Sequence, residues 1–312
     1  MSPPPAAQTW TTRTLLAWMG EAFTRQGLDS PRLLAELLMA HVLGCERLRL
    51  YMDADRPASP LERQTLRELV ARALKHEPIQ YLVGEARFFG LDFKVDKRVL
   101  IPRPATETIV EHVLQDYRAR HGPGSASSPT RGEGLLIADV CAGSGCVGIA
   151  LAKNLPGARV VATDISADAL AVARENAARH RVDDRADFLL GDLLAPLAEY
   201  PPARGAGSID YLVSNPPYVP DDEWPGAVDR NVRDHEPHGA LRGGPDGLLF
   251  ARPIIEQSPR FLKEGGLLLV EVAAGRAAQA LDIARAVAGL ADARILKDFE
   301  GLDRVILARR TA

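Results

Sequence analysis

From residue 135 to the C-terminus one pattern recurs: a short apolar run, a cluster of Gly, Asp, Asn or Ser, and a longer stretch with helical spacing. The apolar runs fall at residues 135–140, 159–163, 186–190, 209–214, 266–272, 293–297 and 304–308. Strands that alternate with helices require crossover connections, which make the strands parallel and cover both faces of the sheet. The pattern therefore predicts an α/β domain built on a seven-stranded, doubly wound sheet.

The chain ahead of this region has a different character. Residues 1–11 are rich in Pro and Ala and are expected to form a disordered tail. Residues 12–80 carry helical periodicity, with Leu15, Met19, Ala22 and Phe23 in the first stretch. Ser30-Pro31 and Ser59-Pro60 each supply an N-cap followed by proline at the first helical position, and each leads into a further apolar stripe. A small helical domain is expected there. Residues 81–104 change to alternation through Phe89, Leu91, Phe93 and Val95, punctuated by Gly84 and Gly90, which predicts a β-hairpin and linker. The larger domain is expected over residues 105–312. It would begin with a helix at 106–117, and the Gly-, Ser- and Pro-rich residues 121–134 would form a loop.

Composition removes several classes of function. The 312 residues are 46% hydrophobic and 25% charged, with a formal net charge of -3, so no general grip on nucleic-acid phosphates is expected. Cys45, Cys141 and Cys146 are odd in number and lack metal-ligand or disulfide spacing; no signal-peptide layout or membrane span is apparent. The expected location is cytoplasmic. In His235-Glu236-Pro237-His238, Pro237 interrupts any helix that would align ligands, so a loop is expected and no metal site. Packing rather than catalysis is expected of Cys141 and Cys146, which lack a basic partner nearby in sequence.

Two motifs close apolar runs. The first is Asp139-Val140-Cys141-Ala142-Gly143-Ser144-Gly145, ahead of a helix that would expose unpaired N–H groups. Gly143 to Gly148 also fits the dinucleotide pattern Gly-x-Gly-x-x-Gly, so this loop alone does not distinguish a pyrophosphate from S-adenosylmethionine. Asp164 closes the next run, where its carboxylate can accept from two ribose hydroxyls of either cofactor. Asp192 follows the third, placed to receive an adenine amine while Leu193 packs on the ring. Cys141, Ala142, Gly143, Ser144, Gly145, Asp164, Asp192, Leu193 and Asn215 are therefore the expected cofactor contacts.

The second motif, Asn215-Pro216-Pro217-Tyr218, separates the two cofactors. The Asn215 side-chain carbonyl and the backbone carbonyl of Pro216 are neighbouring acceptors suited to an –NH2 group, and Tyr218 can stack on its plane. An amide nitrogen is a poor nucleophile because its lone pair is shared with the carbonyl. Holding both hydrogens while partly desolvating the group favours a pyramidal nitrogen, and a sulfonium methyl needs orientation more than a strong base. Asn215, Pro216, Pro217 and Tyr218 are the expected catalytic and substrate-binding residues, with S-adenosylmethionine as cofactor.

With these motifs the chain resembles the glutamine N5-methyltransferases of peptide chain release factors. The likeness runs from about Leu15 to Leu307. It includes Glu77-Pro78-Ile79-Gln80-Tyr81-Leu82-Val83-Gly84, Phe88-Phe89-Gly90, Ile101-Pro102-Arg103-Pro104, Thr106-Glu107, the two motifs above and the stretch from Glu236-Pro237 to Gly247-Leu248. The resemblance implies a Rossmann-like S-adenosylmethionine-dependent methyltransferase domain whose last two strands form an antiparallel hairpin. It also implies that the protein substrate is a release factor, modified at the glutamine of a Gly-Gly-Gln tripeptide and engaged by the helical domain and hairpin. The expectation is a monomer with no direct nucleic-acid or membrane partner.

Departures are Ala105, where aspartate is common, and Glu271-Val272-Ala273-Ala274-Gly275, where Glu-Ile-Gly is more usual. The Asp-x-Cys form of the glycine loop also resembles sister enzymes that methylate ribosomal protein L3, which is the alternative substrate. A nucleic-acid amine methyltransferase and a non-catalytic binding module are the remaining readings. Phe88 and Phe89 fit either core or substrate wall, and Arg103 and Glu107 are expected to brace the cofactor-side loop.

Overall fold

The structure is a computed structural model that describes residues 10–122, 134–203, 207–224, 226 and 228–312. Residues up to Gly84, with Arg230–His235, form one compact unit; Glu85–Asp229 and Glu236–Ala312 form a second. Residues 1–9 of the expected tail and residues 123–133 of the expected loop lie outside the described residues.

The first unit is helical: α1 (Thr12–Gln26), α2 (Pro31–Leu43), α3 (Arg47–Met52), α4 (Pro60–Ala73) and α5 (Ile79–Val83). Thr11 opens α1 with a capping box shared with Thr14, and Ala58 donates its N–H to the Trp10 carbonyl, so these two residues are ordered rather than part of a tail. A second capping box, Ser59 with Glu62, starts α4 with Pro60 at the first position. Ser30 differs from expectation. Its left-handed backbone (φ 49°) departs from the extended geometry a capping hydroxyl needs, and it makes no capping bond. Leu15, Met19 and Phe23 of α1, Leu38 and Met39 of α2, and Leu66, Leu69 and Val70 of α4 share one core.

Helix α5 corrects the expected start of the hairpin. Residues 81–83 belong to a helical turn that follows Pro78 and ends at Gly84 (φ 77°). In the second unit, β1 (Glu85–Phe88) pairs antiparallel with β2 (Leu91–Lys94). The two turn residues, Phe89 and Gly90, have φ of 48° and 76°, the positive pair that a tight two-residue hairpin favours. Phe88 and Phe93 are fully buried and meet edge to face, so Phe88 is core; Phe89 packs on the same cluster half-buried.

The rest of the second unit alternates β3 (Leu136–Val140), α7 (Cys146–Asn154), β4 (Arg159–Asp164), α8 (Ala167–Arg179), β5 (Ala186–Leu190) and β6 (Ile209–Ser214), after α6 (Glu107–His121). Then come α9 (Arg230–His235, assigned to the first unit), α10 (Ala251–Gln257), β7 (Leu262–Glu271), α11 (Ala277–Ala286), β8 (Leu290–Lys297) and β9 (Asp303–Arg310). The sheet order is β5-β4-β3-β6-β7-β9-β8, with β9 antiparallel to both β7 and β8. Side chains alternate across it: Tyr211 and Val213 join a core with α6 and α7, whereas Leu212 between them joins one with α10 and α11. This is the seven-stranded, doubly wound α/β fold with its antiparallel terminal hairpin. The chain leaves β3 for β4 on one side and reaches β6 on the other, which creates a switch point beside β3.

Candidate active site

Register brings the two motifs together. Val140 pairs with Thr163 on one side and Ser214 on the other, so Cys141, Asp164 and Asn215 leave three adjacent strands at one edge. Asp164 in turn pairs with Leu190, which places Gly191-Asp192-Leu193 next along that edge. A cavity of about 500 Å³ opens there, within the range of small-molecule sites. Cys141, Ala142, Gly143, Ser144, Asp164, Asp192, Leu193, Asn215 and Pro217 line it. Gly145, Pro216 and Tyr218 are set back from its wall: Gly145 caps α7 at φ 77°, Pro216 is buried, and the half-buried Tyr218 has its hydroxyl beside Glu271.

Side-chain hydrogen bonds fix the loops. Ala142 N–H donates to the Thr163 carbonyl, and Gly143 N–H donates to Asp164 Oδ2 at 2.9 Å. Ser166 N–H donates to Asp164 Oδ1, also at 2.9 Å, so each oxygen of Asp164 holds one backbone donor and keeps acceptor capacity toward the cavity. Burial raises the Asp164 pKa against those hydrogen bonds. Asp139 is more deeply buried, accepts from Gly148 N–H at 2.8 Å, and is pushed up to about 7 by desolvation. The Thr163 hydroxyl donates to the Leu193 carbonyl, holding that residue in its left-handed conformation (φ 46°).

Asn215 carries the most informative pair of contacts. Its Nδ2 donates to Thr106 Oγ1 at 3.0 Å, while Oδ1 is buried without a hydrogen-bond partner among the described residues. An unmatched buried carbonyl is costly unless a donor arrives from outside. Glu271 follows Val270, the partner of Ser214 in the sheet, and so lies beside Asn215; it is fully buried, and neither of its oxygens makes a hydrogen bond among the described residues, with the hydroxyls of Thr106 and Tyr218 as neighbours. Desolvation raises its pKa, opposed by those hydroxyls and by the charge of Arg304.

Several residues reach the site that sequence reading did not assign. Thr106 lines the cavity from a helical turn ahead of α6, and Ile165 presents an apolar side chain that is 74% exposed. Asn176 is fully buried on α8; its Nδ2 donates to the carbonyls of Lys94 and Ser144, and its Oδ1 accepts from Lys94 N–H, joining hairpin to glycine loop. Arg103 lines the cavity, and its Nη2 donates to Glu236 Oε1 at 2.6 Å while Glu236 Oε2 accepts from Ile101 N–H. Glu236 of the His-Glu-Pro-His stretch is thus a strut for the cavity wall. Glu107 corrects expectation: its Oε1 accepts from Phe89 N–H at 2.7 Å, bracing the hairpin turn rather than the cofactor-side loop.

Three carboxyl groups, Asp139, Asp164 and Asp192, ring the cavity. Arg98 and Arg103 line it as well, so the choice of cofactor rests on shape and acceptors rather than net charge: the Asp164 and Asp192 carboxyl groups fit the ribose and amine groups of S-adenosylmethionine. Cys146 is buried in the core with its thiol pushed up to about 12, and Cys141 is raised further, which makes both poor nucleophiles at neutral pH.

Comparison with known proteins agrees with this geometry. Family models described as PrmC N-terminal domain and methyltransferase small domain match residues 14–84 and 129–234. A release factor glutamine methyltransferase of Chlorobaculum tepidum is 43% identical over 300 residues, covering 96% of this chain and 97% of its own. One from Geobacter sulfurreducens is 39% identical over 302 residues, covering 97% and 98%. Among solved structures, the human METTL16 catalytic domain in complex with an RNA hairpin superposes with a TM-score of 0.51 at 17% identity, covering 72% of this chain and 76% of its own. That last likeness speaks to fold alone.

Proposed function

The chain belongs to the release factor glutamine methyltransferase family, and on that premise we propose that it methylates the side-chain nitrogen of the Gly-Gly-Gln glutamine in peptide chain release factors. The observation that carries this reading is the buried, unpartnered Oδ1 of Asn215 on a cavity that also holds Asp164 and Asp192.

S-adenosylmethionine, when bound, supplies a methyl carbon already activated by its sulfonium. Asp164 would hold the ribose hydroxyls, Asp192 and Leu193 the adenine, and the loop from Cys141 to Gly145 the amino-acid end. Asn215 Oδ1 and the Pro216 carbonyl would accept the two amide hydrogens of the glutamine, and the Tyr218 ring would cover its plane. Fixing both hydrogens orients the nitrogen lone pair toward the methyl and weakens its sharing with the carbonyl. The nitrogen becomes positive during transfer, and the same two acceptors stabilise that charge more than the ground state. Its extra proton is acidic and leaves to solvent without a strong base.

The helical unit and the β1–β2 hairpin are the proposed docking elements for the release factor. We place the reaction in the cytoplasm, in a monomer without a direct nucleic-acid or membrane partner; among the described residues no helix is long and apolar enough to cross a membrane. The test is transfer of labelled methyl to purified release factor, to its Gln→Ala variant, to ribosomal protein L3 and to RNA. Label on the unmodified release factor alone supports the reading. Label on L3 or RNA, or on none, overturns it.

A further inference from the structure

The amide clamp places a demand on Asn215 that its side chain cannot meet alone. A carboxamide presents an acceptor on one side and donors on the other, and a half-turn exchanges them. Only the orientation with Oδ1 toward the substrate receives an –NH2 group; the reverse sets donor against donor. Thr106 holds the Nδ2 side at 3.0 Å. A threonine hydroxyl both donates and accepts, however, so Thr106 by itself serves either orientation.

The asymmetry comes from the next group in the chain of contacts. Glu271 ends β7 one residue after Val270, which pairs with Ser214, so it leaves the sheet beside Asn215; it is fully buried, with the hydroxyls of Thr106 and Tyr218 as neighbours. Its oxygens are buried acceptors without a partner among the described residues, and Thr106 and Tyr218 are the neighbouring hydroxyls that a small side-chain movement would bring to them. A carboxylate only accepts, and a protonated carboxyl still keeps one oxygen that only accepts. Once Thr106 directs its proton to Glu271, its oxygen is left to accept from Asn215 Nδ2, and Asn215 Oδ1 must face the cavity.

We propose that Glu271, acting through Thr106, is a positioning residue that sets the donor–acceptor sense of the Asn215 amide and so selects glutamine over glutamate at the reacting position. The inference rests on the clamp reading above and deepens it.

Glutamine at 271 can donate an amide hydrogen to Thr106, which frees Thr106 to donate to Asn215 and reverses the clamp. The experiment measures binding of release factor carrying Gln or Glu in its tripeptide to the full chain loaded with S-adenosylhomocysteine, alongside kcat, KM and cofactor Kd. The unmodified enzyme is expected to prefer Gln by about tenfold or more; E271Q should narrow that to about twofold and lower kcat by roughly tenfold, cofactor Kd staying within about threefold. T106V should act in the same direction, T106S should keep the Gln preference, and T106V in an N215A background should cost less than about twofold more in kcat. Should E271Q fail to fold, the T106V and T106S pair decides. An unchanged Gln preference in E271Q and T106V, or a full T106V effect without Asn215, overturns the proposal. Absence of transfer by the unmodified enzyme would instead overturn the proposed function.

Discussion

Asn215 donates its amide to Thr106 Oγ1 at 3.0 Å across 109 residues of sequence, and the same bond leaves its carbonyl oxygen buried and unmatched. The side chain is held by its donor end, and its acceptor end is left for a donor from outside, as a residue that receives an –NH2 group requires. Asp164, on the far side of β3 in the sheet, takes the complementary task on the cofactor side.

The two tasks separate in kinetics. N215A should lower kcat by roughly 10²–10³-fold, the scale of losing one stabilising group aimed at developing charge, while cofactor Kd moves by less than about threefold. Turnover equal to that of the unmodified enzyme would remove the clamp.

D164A should do the reverse. Loss of charge-assisted hydrogen bonds to two hydroxyls predicts cofactor binding weakened roughly 10- to 100-fold, with kcat at saturating cofactor largely kept. Calorimetric titration that returned an unaltered Kd would reject the ribose assignment.

Asp139 gives a pH signature in stability. Its carboxyl has a pKa of about 7 in the folded protein against an ordinary 3.8, so between these values the folded state retains a proton that the unfolded state has released. Stability from this group therefore falls as pH rises through that window. D139N keeps an acceptor for Gly148 N–H and removes the titration, so its melting temperature relative to the unmodified protein should rise as the pH increases from the ordinary 3.8 to about 7. Parallel melting curves across the range would contradict the assignment.

Gly148 packs α7 against β4 and the Asp139 carboxyl. A Cβ there would lie 2.8 Å from Val160 Cγ1 and 3.0 Å from Asp139 Oδ2, both in the core. G148A should lower unfolding free energy by roughly 1–3 kcal/mol, the range for overpacking, measured as a shift in urea midpoint at constant slope. An unshifted midpoint would show that the helix backs away freely.

Much of this was legible in the chain because the strands that frame the site are short apolar segments, each closed by a turn residue. Residues 186–190 and 209–214 read as continuous apolar runs closed by Gly or Asn, and both bounds match the observed strands. Helix α5 was not legible, since five residues after Pro78 are too short to show a helical period. Edge strand β8 extends beyond its expected start through register shifts near Ala291, where periodicity is lost. The candidate site divides in the same way. Asp164, Asp192 and Asn215 follow strands and announce themselves by position, whereas Asn176, Thr106 and Glu271 act through partners 32 or more residues distant, or through burial, which no local spacing records.

The central claim is that the methyl acceptor is a glutamine side-chain nitrogen held at Asn215. Release factor incubated with the enzyme and S-adenosylmethionine, digested and sequenced by fragmentation mass spectrometry, tests it directly. The account predicts one added methyl group on the glutamine of the Gly-Gly-Gln peptide, absent when Asn215 is alanine. A methyl group on any other residue, or an unmodified peptide, would contradict it.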